Sequence, residues 1–225
     1  MPDQNRPYAT AEAVARGHAI YTNLNLRVVY DPMVLYFSNR FLWKCPTPEL
    51  VELYRQLASL NHLDAGVGTG YYTARLPRQG QRLGLIDIDE RCLARATERA
   101  TAETVETYCE NLLEPFEFAH ERYDSLGATY LMHCMPGTMD QKSVAFDHLK
   151  AALYPGAAVF GASIVQGDVP VNAGARKLMA VYNRKGIFSN EQDTAAALER
   201  NLKARFEDVE VWFRGCVAVF TARNP

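Results

Sequence analysis

Short apolar runs alternate with helix-like stretches between about residues 61 and 165. This alternation predicts successive βα units and therefore a parallel sheet. We expect one helix from about Tyr71, a second capped by Asp89, and a third from Asp140 to Leu153. The predicted strands lie at residues 62–64, 81–88, 104–109, 123–131 and 157–165.

The remainder of the chain has a different pattern. Ser189 and Gln192 have the spacing of a capping box, which predicts a helix reaching about Phe206. Two strand-like runs, 209–213 and 217–222, follow with only three residues between them, so we expect an antiparallel hairpin. The chain is therefore predicted to be an α/β protein whose mostly parallel sheet ends in an antiparallel pair.

The first sixty residues do not continue the alternation. Pro48 opens a predicted helix that places Leu50, Tyr54 and Leu57 on one stripe. The segment before it is rich in aromatic side chains, and we interpret residues 1–60 as a helical cap, with 61–225 as the α/β domain. These aromatic residues either contribute to the core or form a lid over a ligand cleft, and the two roles are compatible.

Composition excludes several classes of protein. The 225 residues carry a formal net charge of −2, which argues against a nucleic-acid binder with a basic patch. The five cysteines form no C-x-x-C pair, so a zinc site is not expected, and reduced thiols fit a cytoplasmic protein. No signal peptide is expected. No membrane span is expected either, since the apolar run 151–165 is short and is broken by Pro155-Gly156.

The stretch HLDAGVGTGYY at residues 62–72 places three alternate glycines after the first predicted strand. A phosphate-binding P-loop would need a lysine near the start of the following helix, where Tyr71-Tyr72-Thr73 stands. A dinucleotide loop would have glycine at the position of Tyr71. The G-x-G-x-G spacing therefore weakens the pyrophosphate interpretation without excluding it.

Several segments together resemble one family. Residues 64–70, D-A-G-V-G-T-G, are similar to the first motif of class I S-adenosylmethionine-dependent methyltransferases, D/E-x-G-x-G-x-G. Asp87 resembles that family's acidic residue at the end of the second strand, and Asn111 stands where an Asp is common. The segments YDSLGATYLMHCM and LYPGAAVFGASI are similar to its fourth and fifth strands. The resemblance covers about residues 60–225 and implies a Rossmann-like, seven-stranded sheet with helices on both faces.

The resemblance also implies a site for S-adenosylmethionine, with S-adenosylhomocysteine as the product. Asp87 would accept from the ribose hydroxyls, Asn111 would accept from the adenine amino group, and Asp64 would complement the ligand's ammonium. Loop capping is the structural alternative for these three side chains. The full set of implied cofactor-binding residues is Tyr21, Asp64, Ala65, Gly66, Gly68, Thr69, Gly70, Asp87, Ile88, Asn111, Leu112 and Thr129.

His133 follows the fourth strand and is our candidate general base, because imidazole titrates near neutrality. Its alternative role is a plain hydrogen bond to backbone or substrate, and His18 is a second candidate. No His, Asp or Glu group has metal-ligand spacing, so no metal is expected.

The methyl acceptor is predicted from a group of aromatic and methionine side chains that would line an apolar pocket. We expect methyl transfer to an oxygen or nitrogen of a small aromatic or polyketide-like metabolite. The alternative is a protein that binds the cofactor but catalyses a rearrangement or cyclisation. The expected binding partner is a small molecule, and binding to nucleic acid or to a membrane is not expected. A homodimer is compatible with the sequence. The candidate pocket residues are Tyr21, Tyr30, Phe37, Phe41, Trp43, Met132, Met135 and Met139.

Overall fold

The computed structural model describes residues 31–76, 79–118 and 122–225. Seven strands form one sheet in the order β3-β2-β1-β4-β5-β7-β6. The first five strands pair in parallel, and β7 pairs antiparallel with both β5 and β6, as the sequence predicts. The strands are β1 Asn61–Ala65, β2 Arg82–Asp87, β3 Thr104–Cys109, β4 Tyr123–Thr129, β5 Leu153–Ile164, β6 Glu207–Arg214 and β7 Val217–Arg223.

Helices cover both faces of the sheet. A 13-residue π-helix, numbered here α1, precedes α2, whose first turn contains Pro48. Asp89 caps α3 by accepting from the backbone N–H of Arg91, as predicted. The helices are α1 Asp31–Trp43, α2 Thr47–Leu57, α3 Glu90–Arg99, α4 Met139–Lys142, α5 Val144–Lys150, α6 Ala173–Arg184 and α7 Ala195–Lys203.

Side-chain alternation in the strands produces a core on each face of the sheet. In β5, Val159 packs with α5 and α7, whereas its neighbour Phe160 packs with α2 and α6. In β7, Phe220 lies in the core with α5 and α7, and its neighbour Val219 lies in the core with α2 and α6. Successive side chains in a strand point to opposite faces, so these runs of apolar residues are filled on both sides.

The helix predicted from about Tyr71 is absent. A single 3₁₀ turn, Thr73–Arg75, stands in its place. Leu76 precedes a proline in the sequence and has an extended ψ of 159°, the conformation that a following proline favours. The glycine loop therefore continues into a tight turn and not into a long helix with a free N-terminus.

Other boundaries also differ from the prediction. Thr138, and not Asp140, caps α4, and the Ser143 hydroxyl donates to the Met139 carbonyl where α4 gives way to α5. Thr194, and not Ser189, caps α7 by accepting from Ala197 N, whereas the Ser189 hydroxyl donates to the Gly137 carbonyl.

Two strand boundaries are corrected, and one helix was not predicted. Strand β4 ends at Thr129, because Tyr130 has a positive φ of 60° and leaves the extended conformation. Strand β5 begins at Leu153, four residues before the predicted 157. Helix α6, which Asn172 caps, was not predicted from the sequence.

Helices α1 and α2 pack directly on the sheet. The Trp43 carbonyl at the end of α1 accepts from Cys216 N at 3.0 Å, and Arg214 Nε lies 2.5 Å from Glu49 Oε2. Gly215 lies so close that a Cβ atom there would be 2.1 Å from the Trp43 carbonyl oxygen. The described part of the predicted cap thus shares a core with the sheet, and the division at residue 60 stays a prediction.

Candidate active site

A cavity of about 240 Å³ opens at the carboxyl ends of β1, β2, β4 and β5. Ligands in open α/β sheets bind at this edge, where the strand order reverses between β1 and β4. The sequence-predicted site residues that line the cavity are Asp64, Gly66, Gly68, Thr69, Asp87, Ile88, Asn111, Leu112, Thr129 and His133.

Two predicted cofactor-binding residues do not line the cavity, and a third lies outside the described residues. Ala65 is buried inside β1, where it belongs to the core. Gly70 faces α3, so its role is packing and not ligand contact. Tyr21 lies outside the described residues, as do Tyr30 and the alternative base His18.

The three loop glycines all have positive φ, at 68° for Gly66, 53° for Gly68 and 69° for Gly70. Their surroundings differ. A Cβ atom on Gly66 would lie 2.7 Å from a methyl carbon of Leu131, and one on Gly70 would lie 2.7 Å from Ala96 Cα in α3. A Cβ on Gly68 would meet nothing within 4 Å, so the open space of the cavity begins at Gly68.

Asp87 connects the end of β2 to the glycine loop. Its Oδ2 accepts from the backbone N–H of Gly68 at 3.0 Å, and its Oδ1 accepts from Asp89 N at 3.0 Å. These two bonds fix the carboxylate at the rim of the cavity. Each carboxylate oxygen has a second acceptor site, so Asp87 can still receive a ligand hydroxyl.

The side chain of Asp64 is buried near the carboxyl end of β1. Its Oδ1 accepts from the Tyr54 hydroxyl at 2.6 Å. Burial raises the pKa of Asp64 to about 7, the hydrogen bond from Tyr54 opposes this shift, and the Asp87 carboxylate adds to it. At neutral pH this acid is therefore poised between its two protonation states.

Asn111 lies beyond β3 and has partners of its own. Its side-chain oxygen accepts from Leu113 N at 3.1 Å, and its amide donates to Glu114 Oε1 at 3.1 Å. The structural alternative considered for this residue, loop capping, is thus present. The oxygen retains one lone pair for a ligand donor.

His133 lies in a 3₁₀ turn after β4 and lines the cavity. Its Nδ1 accepts from Ile164 N at 3.4 Å, and its ring meets Phe188 edge-on with centroids 4.5 Å apart. Burial, together with the smaller effect of the nearby Lys142 charge, lowers the pKa of His133 to about 3. The ring is therefore neutral at pH 7, with its proton on Nε2.

The part of the cavity beside His133 is mainly aromatic and aliphatic. Trp43, Tyr130, Ile164, Tyr182 and Phe188 line it. The prediction of an aromatic pocket placed Trp43 and Met135 here correctly. Phe37 and Phe41 are instead more than half exposed on α1, and Met132 and Met139 are buried in the core.

Sequence reasoning missed Tyr54 and Tyr72 as residues of this site. Both line the cavity, and their rings stack in parallel with centroids 4.9 Å apart. Tyr54 was read only as a core position of its helix. Tyr72 lies two residues after Gly70, so the Tyr71-Tyr72 pair beside the motif was the available signal.

The cavity fits a nucleoside with a charged tail. Gly68 leaves room where a side chain would stand, Asp87 offers a fixed carboxylate at the rim, and Asp64 offers a buried carboxyl further in. These are the groups that a ribose and an ammonium require. Among the described residues, no group of three or more His, Cys, Asp or Glu side chains could hold a metal ion. In the same part of the chain, no helix has the length and apolarity needed to cross a membrane.

Comparison with known proteins gives a consistent result. A family model described as "Methyltransferase domain" matches residues 63–156. Demethylluteothin O-methyltransferase of Streptomyces thioluteus is 34% identical over 94% of this chain and 92% of its own. The Physcion biosynthesis cluster O-methyltransferase of Aspergillus chevalieri is 39% identical, over 93% of this chain and 96% of its own.

Solved structures share the fold at lower identity. The structure described as "DhpI-SAH complex structure" has a TM-score of 0.65 and 16% identity, covering 96% of this chain and 98% of its own. The N-methyltransferase NodS of Bradyrhizobium japonicum, solved with S-adenosyl-l-homocysteine, has a TM-score of 0.57 and 19% identity, covering 80% and 87%. The chain belongs to the class I S-adenosylmethionine-dependent methyltransferases and is an enzyme that uses S-adenosylmethionine as its cofactor.

Proposed function

We propose that this enzyme methylates a hydroxyl oxygen, phenolic or enolic, of a small aromatic or polyketide-like metabolite. The observation that carries the proposal is the aromatic half of the cavity, which adjoins the cofactor half at His133. Small-ligand sites are mostly apolar with a few polar groups that fix orientation. A flat, weakly polar acceptor with one reactive hydroxyl matches that composition.

Charge supports the same class of acceptor. Among the described residues that line the cavity, the acidic side chains are Asp64, Asp87 and Glu110, and neither lysine nor arginine is present. A carboxylate or phosphate on the acceptor would enter without a cationic partner from these residues. An uncharged or weakly acidic hydroxyl avoids that cost.

The relatives support oxygen as the accepting atom. Two proteins that cover almost the whole chain carry the name O-methyltransferase, and one of them is assigned to a biosynthesis cluster. The N-methyltransferase NodS shares only the fold at 19% identity. We therefore place oxygen before nitrogen, and we place methyl transfer before the alternative of a rearrangement or cyclisation.

The cofactor residues hold the methyl donor in our proposal. Asp87 receives the ribose hydroxyls, Asp64 receives the amino group, and the Gly68 backbone permits close approach. When bound, S-adenosylmethionine supplies an electrophilic methyl group on a positively charged sulfur. Holding the acceptor oxygen in line with that methyl group contributes much of the rate acceleration.

His133 meets the acceptor in this arrangement, but its geometry changes the role that we first predicted. A general base needs a nitrogen free to take a proton, and Nδ1 is already engaged by Ile164 N while the pKa of the ring is about 3. We therefore assign Nε2–H as a donor to the acceptor oxygen. The acceptor hydroxyl loses its proton to solvent before transfer, and its oxygen then takes the methyl group from the cofactor sulfur. A phenolic or enolic hydroxyl is acidic enough for this, and Nε2–H holds the resulting oxygen anion in place.

The test is a panel of acceptors with matched functional groups. Purified enzyme and S-adenosylmethionine are incubated with a simple phenol, a hydroxyanthraquinone, a 4-hydroxy-2-pyrone and the corresponding aromatic amine. We expect one added methyl group on at least one hydroxyl compound, with an equal amount of S-adenosylhomocysteine, measured by liquid chromatography and mass spectrometry.

Controls separate the competing functions. The O-methyl ether of the active acceptor must not react, and His133→Leu should lower kcat by about 10²-fold or more through loss of the donor. Methylation of the amine alone would move the proposal to nitrogen. A rearranged product without S-adenosylhomocysteine would contradict it in favour of the non-methylating alternative.

A further inference from the structure

Tyr54 lies in α2, outside the sheet, yet its hydroxyl reaches the cofactor edge of the sheet. It donates to Asp64 Oδ1 at 2.6 Å, and both side chains are buried. Asp64 also lines the cavity. A side chain from the helical segment thus controls one oxygen of the acid at the tip of β1.

The Tyr54 ring is held by aromatic contacts on several sides. Tyr72 stacks on it at 4.9 Å with an interplanar angle of 9°, and Phe160 meets it edge-on at 4.9 Å. His62 makes a second edge contact at 5.9 Å. Because the ring is packed in this way, its hydroxyl stays directed at Asp64.

Gly127 in β4 leaves the space that this hydrogen bond occupies. A Cβ atom at this position would lie 2.5 Å from Asp64 Oδ1 and 2.9 Å from the Tyr54 hydroxyl oxygen. Any larger side chain in the middle of β4 would therefore separate the pair. The glycine has no positive φ, so close approach is its evident role.

The groups that face Asp64 come from β1, β2 and the glycine loop. From β1, His62 Nε2 lies 3.9 Å from Oδ1, and burial holds the pKa of His62 at about 3. Asp87 adds a negative charge from β2, and Tyr72 faces the pair from the glycine loop. Near neutral pH the protonation of Asp64 therefore changes, whereas that of His62 does not.

We propose that Tyr54 is a positioning residue that holds Asp64 for the cationic amino group of the cofactor, so that cofactor binding releases a proton. This inference rests on our assignment of the cofactor site and not on the identity of the acceptor. In the free protein, part of the population carries the acid as a neutral carboxyl. Binding of an ammonium favours the carboxylate, and the displaced proton goes to solvent.

The sign of the pH dependence follows from the raised pKa of Asp64. Below about pH 7 the carboxyl is protonated in the free protein, so each unit of pH lowers cofactor affinity by about tenfold. Replacing Tyr54 by Phe keeps the stacked ring but removes the donor that stabilises the carboxylate. The midpoint of this dependence should then move to higher pH.

The experiment is calorimetric titration with S-adenosylhomocysteine between about pH 5.5 and 7.5, in two buffers that differ in ionisation enthalpy. For the wild type we expect proton release and weaker binding as the pH falls. For Tyr54→Phe we expect a higher midpoint. Tyr108→Phe is the matched control, since it also removes a buried tyrosine hydroxyl, bound to Glu106 at 3.0 Å, and does not line the cavity.

An unchanged midpoint in Tyr54→Phe would overturn the proposal and leave Tyr54 a purely structural role. If that variant does not fold, Asp64→Asn decides. Its affinity should be lower and independent of pH over this range, and a persisting pH dependence would assign the proton to another group. Since no acceptor is present, failure of this test is distinct from failure of the proposed oxygen methylation.

Discussion

Gly68 and Gly70 are two positions apart, and we expect different consequences of adding a methyl group to each of them. Gly68 has open space in front of it, so Gly68→Ala costs about 1–2 kcal/mol of backbone strain and fills the cavity. Gly70→Ala forces its Cβ against α3 and should cost about 2–4 kcal/mol. Urea unfolding and S-adenosylhomocysteine titration of both variants measure the two effects.

Gly156→Ala provides the reference for this comparison. Gly156 also has a positive φ, 79°, and open space around it, but it lies away from the cavity. It should lose as much stability as Gly68→Ala and keep full cofactor affinity. Unchanged affinity in Gly68→Ala would remove this glycine from the binding site.

Residues of the glycine loop could be predicted because their spacing is a local signal. Gly66, Gly68 and Asp87 line the cavity as expected. Tyr54 could not be found in this way, because its role depends on packing between α2, β1 and β4 and not on spacing within one segment. The same limit applies to His133, whose pKa and Nδ1 partner are set by burial that the sequence does not reveal.

At the scale of elements, a buried ion pair joins α4 to the segment before α7. Lys142 Nζ lies 2.6 Å from Asp193 Oδ2, both side chains are fully buried, and Nζ also donates to the Ser189 carbonyl. Ser189 N in turn donates to the His133 carbonyl at 2.8 Å. The pair therefore fixes the segment that borders the acceptor side of the cavity.

Lys142→Met should destabilise the protein by about 3–5 kcal/mol, because Asp193 would remain buried without its cation. The double variant Lys142→Met/Asp193→Leu should recover a large part of this loss. Urea unfolding of the single and double variants gives the coupling energy. Arg200→Met is the contrast: its pair with Asp140 is exposed, so we expect a loss below about 1 kcal/mol.

A double variant no more stable than Lys142→Met would show that packing, and not the uncompensated charge, causes the loss.

The capping prediction at Ser189 was wrong because of tertiary contacts in the same region. Ser189 has the right spacing for a cap, but its hydroxyl donates to the Gly137 carbonyl, and its backbone is bound to His133 and Lys142. Helix boundaries of this kind are decided by neighbours far along the chain.

Element order was more predictable than element length. Each parallel strand and the final hairpin follow from the alternation of apolar runs and turns. The helix after the glycine loop was wrong, because the run after Tyr71 carries a helical pattern but ends at a proline only a few residues later. Helix α6 was missed, since Asn172 as a cap is a weak signal on its own.

For the whole molecule, two buried histidines and the buried Asp64 contribute to the response of stability to acid between about pH 6.5 and 4. The pKa values of His62 and His133 are lowered to about 3, so unfolding takes up a proton at each below about pH 6.5. Asp64, with its pKa raised to about 7, releases one proton on unfolding between about pH 4 and 7. Two protons taken up and one released leave a net uptake of one.

Stability should therefore fall by about 1.4 kcal/mol for each pH unit between about 6.5 and 4. The free energy of unfolding in urea, measured across this range, tests the slope. Asp64→Asn removes the opposing proton, so its slope should double. A slope that does not steepen in this variant would mean that Asp64 titrates normally in the folded protein.

The contact between Gly215 and Trp43 also determines when the enzyme can become functional during synthesis. Trp43 lines the cavity, but its carbonyl is bound by Cys216, more than 170 residues later. A nascent chain that has released only the glycine loop and the parallel strands lacks the hairpin that holds α1 in place. The glycine loop is thus synthesised early, whereas α1, which brings Trp43 to the cavity, is held in place only after the hairpin has been made. A partly synthesised chain therefore has no complete site in which to bind a substrate.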